Sequence, residues 1–72
     1  MVGVARLSEN VKYYRTVKGM SVRELAMKAG VSSSYIYAIE SGARGSNLTK
    51  LEKIAEALEV PLQRLWEEKK HP

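Results

Sequence analysis

Cysteine and aspartate are absent, and histidine occurs once, as the penultimate residue His71. Without cysteine there is no disulfide, no thiolate nucleophile and no sulfur-ligated zinc. One terminal imidazole, no aspartate, no glycine-rich phosphate loop and no recognisable carboxylate pair leave an enzyme without its parts. The expectation is therefore a protein that is not an enzyme, with no metal, no cofactor and no small-molecule ligand. No run approaches the ~20 apolar residues of a membrane span, and residues 1–10 carry no apolar signal segment. A soluble, cytoplasmic chain with no membrane partner is expected. At 72 residues a single domain, 1–72, is the reasonable count, with a core over about 7–66 and a frayed polar tail at 67–72. A chain this short buries only about 60% of its unfolded surface, which leaves little room for a deep pocket.

What is present is basic and helical. Twelve Lys and Arg against eight acids give a net charge of +4 and a pI near 9.6, an excess that favours polyanionic partners. Gly19, Gly30, Gly42, Gly45 and Pro61 divide the chain into segments of about ten residues without strand-like alternation. Four or five short helices follow. The first runs near Leu7 to Lys18, with Ser8 as cap, Leu7, Val11 and Tyr14 on its apolar face and Gly19 as stop. Ser21 and Glu24 make a capping box for the second, which carries Leu25, Ala26 and Ala29 up to Gly30. Ser32 caps the third, whose Ile36 and Ile39 face the core before Gly42. Asn47 caps the fourth, where Leu48, Leu51, Ile54, Ala55 and Leu58 share one direction and Lys50, Glu52, Lys53 and Glu56 lie outside it. Val60-Pro61 then breaks the chain, and Leu62, Leu65 and Trp66 supply a last apolar face.

Two short helices joined by Gly30-Val31-Ser32 form a unit whose second member can lie in a major groove while the first crosses the backbone. The ordered set Gly19-Met20-Ser21-Val22-Arg23-Glu24-Leu25-Ala26, Gly30-Val31-Ser32, Ile36 and Ile39-Glu40-Ser41-Gly42 resembles the lambda-repressor and Cro-like helix-turn-helix family. Leu48, Leu51, Ile54-Ala55, Ala57-Leu58, Val60 and Leu65-Trp66 extend the resemblance to roughly Leu7–Trp66. It implies a compact five-helix, all-α, DNA-binding domain with the helix-turn-helix in helices 2 and 3. It also implies a sequence-specific transcriptional regulator, a small repressor on a palindromic operator. Val22 stands where that family commonly has a phosphate-touching glutamine, and Gly45-Ser46 where asparagine and proline are frequent. The family often joins the positions of Arg15 and Glu40 by a salt bridge, so a structural ion pair is expected there.

The residues give the DNA reading content of its own. With Ile36 and Ile39 inward at ~100° per residue, the third helix turns Ser33, Ser34, Tyr37, Ala38 and Ser41 outward. Tyr35 borders the core, and Tyr13 follows the outer side of the first helix. The outward set offers hydroxyls, a methyl and one ring but no bidentate reader, so discrimination would come from hydroxyl and apolar contacts and from DNA shape. Cations flank it: Arg23 and Arg44 are assigned to phosphates, Lys28 is either a further phosphate contact or an ordinary solvated side chain, and Lys50, Lys53, Lys69 and Lys70 read as solvent charges among glutamates. The backbone donors behind Ser21 and Ser32 can also hold phosphates. One such helix spans few base pairs, so a homodimer on DNA is expected, paired through Leu62, Leu65 and Trp66, although Trp66 could equally close the monomer core. A rival reading keeps the scaffold as a protein-interaction module, antitoxin-like or regulatory, and the discriminator is whether positive surface coincides with the third helix.

Overall fold

The computed structural model of the chain describes residues 4–42 and 47–66. Four α-helices and one short 3₁₀ turn follow in order: α1 (Val4–Val17), α2 (Val22–Ala29), α3 (Ser33–Glu40), α4 (Leu48–Leu58) and the turn Leu62–Leu65. There is no strand among the described residues. Helix α2 packs on α3 and α4, α1 packs on α3, and the 3₁₀ turn closes against α1 and α4. None of these helices is long and apolar enough to cross a membrane.

The caps follow the local chemistry. Ser21 Oγ accepts from the Glu24 N–H at 3.0 Å and the Glu24 carboxylate accepts from the Ser21 N–H at 2.9 Å, a complete capping box. Ser32 and Asn47 cap α3 and α4 the same way, accepting from the N–H groups of Tyr35 and Lys50. Gly30 ends α2 at φ 72°, a left-handed conformation that costs glycine nothing. That bend lets the Val31 N–H reach the Ala26 carbonyl at 3.0 Å and sets the tight entry into α3.

Helix α4 closes by the same device without a glycine. Glu59 takes φ 63°, and the Val60 N–H donates to Ala55 at 3.0 Å. A left-handed residue with a Cβ is strained. The Glu59 carboxylate accepts from Lys18 Nζ at 2.7 Å on the surface, and that hydrogen bond holds its pKa below the ordinary value. Glu59→Gly is expected to raise the melting temperature by a few degrees, because relief of the strain outweighs an exposed ion pair. The depressed pKa fixes the sign of the pair's pH dependence: its contribution is present above the unfolded Glu pKa and fades as pH falls through the lower folded value. Thermal melts of Lys18→Met and wild type should converge as pH drops below that range.

The core is continuous: Leu7 and Val11 of α1, Leu25, Ala26 and Ala29 of α2, Ile36 and Ile39 of α3, Leu51, Ile54, Ala55 and Leu58 of α4, and Leu65. Three expectations are corrected. The fifth helix is a single 3₁₀ turn, with Arg64 N–H to Pro61 and Trp66 N–H to Gln63 bonds. Its last carbonyls are taken by a side chain, Asn10, whose Nδ2 donates to Arg64 O at 3.2 Å and Leu65 O at 2.9 Å. Helix α1 starts at Val4 and runs through Ser8, because burial of Leu7 holds that turn helical and outweighs a cap worth about 1 kcal/mol. Leu48, the first residue of α4, is 58% exposed, whereas Leu51 one turn later is fully buried.

Candidate nucleic-acid interface

Helix α3 is held from behind. Ile36 and Ile39 are fully buried and Tyr35 nearly so, and these three fix the rotation of the helix about its axis. Ser34, Tyr37, Ala38 and Ser41 fall at i, i+3, i+4 and i+7, a single stripe on the other side. Ser34 and Ser41 are exposed, Tyr37 is 63% exposed, and Ser33 and Ala38 are half-buried at the margins. The Ser41 hydroxyl donates back to the Ala38 carbonyl at 3.0 Å, so it presents acceptor lone pairs outward. Ser21, Arg23 and Ser32 are exposed at the amino ends of α2 and α3. Arg44 falls in 43–46, outside the described residues, as do Lys69, Lys70 and His71 within 67–72.

Arg15 and Glu40 tie α1 to the carboxyl end of α3. Arg15 Nε donates to Glu40 Oε2 at 2.6 Å and Nη2 to Oε1 at 3.1 Å, the bidentate fork that guanidinium and carboxylate favour. Nη1 donates to the Met20 carbonyl at 2.8 Å, so α1, the chain before α2, and α3 converge on one side chain. The Glu40 hydrogen bond raises the Arg15 pKa above its ordinary value against an opposing effect of burial, and the negative charge of Glu40 adds in the same direction. With these three donors engaged inward, Arg15 braces the stripe from behind.

The carboxyl-terminal set divides. Leu65 is fully buried and belongs to the core, while Leu62 and Trp66 are half-buried against it. Only Leu62 and Trp66 therefore keep apolar area for a partner. Tyr13 is half-buried and meets Tyr14 edge-on, with ring centroids 5.1 Å apart. Val22, in the place of the family's glutamine, is buried in the core. Asn10 escaped the sequence reading. Its signal was its place: a polar residue between Leu7 and Val11, on the stripe that α1 turns inward.

A family model described as Helix-turn-helix matches residues 11–65. The HTH-type transcriptional regulator SinR of Bacillus subtilis is 39% identical over 64 residues, covering 88% of this chain and 58% of SinR. This chain thus spans little more than half the length of that relative. Among solved structures, the restriction-modification controller protein C.AhdI from Aeromonas hydrophila superposes with a TM-score of 0.84 at 30% identity, covering 88% of this chain and 96% of that one. A crystal structure of SinR in complex with DNA gives a TM-score of 0.79 at 38% identity, covering 82% of this chain and 95% of that one.

Proposed function

This chain belongs to the helix-turn-helix family, and from that premise we propose that it is a sequence-specific DNA-binding transcriptional regulator, a small repressor that sits on a palindromic operator as a homodimer. The observation that carries the reading is the stripe Ser34, Tyr37, Ala38 and Ser41, exposed except for half-buried Ala38, while Ile36 and Ile39 anchor the opposite side of α3. In SinR the corresponding scaffold is seen bound to DNA, and a face of hydroxyls, a methyl and one phenol suits base edges and thymine methyls. Ser33 lies at its edge. Arg23 and Arg44 supply phosphate contacts that set the register, and the capped amino ends at Ser21 and Ser32 add backbone donors. The chemistry is binding, not catalysis, and it takes place in the cytoplasm.

Arg23→Ala and Arg44→Ala are each expected to weaken binding evenly across sequences and to lower the slope of log affinity against log salt by about one per bound protomer. Ser34→Ala and Tyr37→Phe should change sequence preference more than non-specific affinity. Fluorescence anisotropy on a set of duplexes over a salt series reads both effects, and unchanged slopes in both arginine variants would remove the phosphate assignment. Pairing through Leu62 and Trp66 would place two α3 helices on half-sites about 34 Å apart. Sedimentation of wild type and Trp66→Ala, free and on a palindromic duplex, tests it: a folded, monomeric Trp66→Ala supports the interface, and a wild type that stays monomeric on DNA overturns it.

A further inference from the structure

Lys50 stands in the first turn of α4 and by sequence looks like its neighbour Lys53, one lysine among glutamates. The fold gives the two different surroundings. Lys50 Nζ lies 4.8 Å from the centroid of the Tyr35 ring, within the range where an ammonium is drawn to the ring face. Tyr35 is buried, so the ring is fixed and the cation is held in one place. Beside it a recess of about 370 Å³ is lined by Ser32, Ser34, Tyr35, Ala38 and Lys50. Ser34 and Ala38 belong to the outward stripe of α3, so the recess opens on that stripe. Its lining contains no acid, and among the described residues Lys50 forms no ion pair. Lys53 instead lines a groove of about 510 Å³ between α2 and α4 with Met27, Lys28, Glu56 and Glu59, where two glutamates offset two lysines.

Resting on the DNA reading above, we propose that this recess seats a phosphate of the DNA backbone and that Lys50 is the cation that binds it. Helix α3 has no Lys or Arg of its own; α4 supplies one from the side. An ammonium is a compact point charge without the planar fork that reads a base, so its natural partner on the duplex is a phosphate oxygen. The Ser32 Oγ accepts the Tyr35 N–H at 3.0 Å, which leaves its hydroxyl proton to donate outward as a neutral donor. Tyr35 acts through Lys50 as a positioning residue.

The test is fluorescence anisotropy of the full chain on a random-sequence duplex across a salt series, with circular dichroism melts to show that each variant is folded. Lys50→Gln is expected to lower the salt slope by about one per bound protomer, so that its affinity deficit shrinks about threefold per protomer between about 50 and 200 mM salt. Lys53→Gln should keep the wild-type slope, and Lys50→Arg should restore it. A wild-type slope for Lys50→Gln, or an equal drop for Lys53→Gln, overturns the proposal and leaves the DNA reading standing. Absence of salt-dependent binding by the wild type overturns both.

Discussion

Glu40→Ala is expected to lose about 3 to 5 kcal/mol of folding stability, the usual cost of stranding one partner of a buried pair. Both side chains are mostly buried, at 16% and 10% exposure for Arg15 and Glu40, so solvent screening removes little of the effect. The mutant leaves a guanidinium whose Nε and Nη2 lose their acceptors while Nη1 stays on the Met20 carbonyl. A chain of this length has only about 4 to 11 kcal/mol in total, so a large unfolded fraction is expected at 37 °C. DNA binding should fall in proportion to unfolding and return at low temperature. Replacing both partners by apolar residues, Arg15→Met with Glu40→Leu, should recover most of the stability, because no charge is then left buried. A Glu40→Ala protein with wild-type melting and lost binding would place Glu40 on the DNA surface and end the bracing role.

Asn10→Leu is expected to cost about 2 to 4 kcal/mol. The substitution keeps the branching at Cγ but enlarges the side chain and withdraws the donor shared by the Arg64 and Leu65 carbonyls, and an unsatisfied buried acceptor costs about 1 to 3 kcal/mol. The turn that seats Leu65 in the core should loosen first. Trp66 is the sole tryptophan and directly follows that turn, so its emission should shift to the red before the helical circular dichroism falls. At about 4 to 8 °C per kcal/mol for a domain of this size, the melting temperature should drop by well over 8 °C. A melting temperature within about 2 °C of wild type would show that the Asn10 hydrogen bonds are dispensable.

These two positions mark the boundary of what the chain discloses. The resemblance pointed to Arg15 and Glu40, and the structure adds the reason the pair matters, the third donor to Met20. Asn10 sat in plain view on an apolar stripe, yet its partners lie at Arg64 and Leu65, at the far end of the chain. Lys50 and Lys53 show the same limit at the interface, since nothing local distinguishes them. Arg44, assigned to a phosphate by its place after α3, lies outside the described residues and rests on the sequence alone.

The amino-acid sequence by itself determined the caps at Ser21, Ser32 and Asn47, the turn at Gly30, and the inward rotation of α3 about Ile36 and Ile39. Capping, left-handed glycine and helical periodicity act over three or four residues, so their causes and effects lie within one segment. Only the tertiary structure decided that Leu65 closes the core and Leu48 does not, that the last helix tightens into a 3₁₀ turn, and that Lys50 rather than Lys53 stands beside the α3 stripe. Each of those outcomes depends on which side chain of another helix comes within a few ångströms. Periodicity sets the direction a residue faces along its own axis; packing alone sets what stands opposite it.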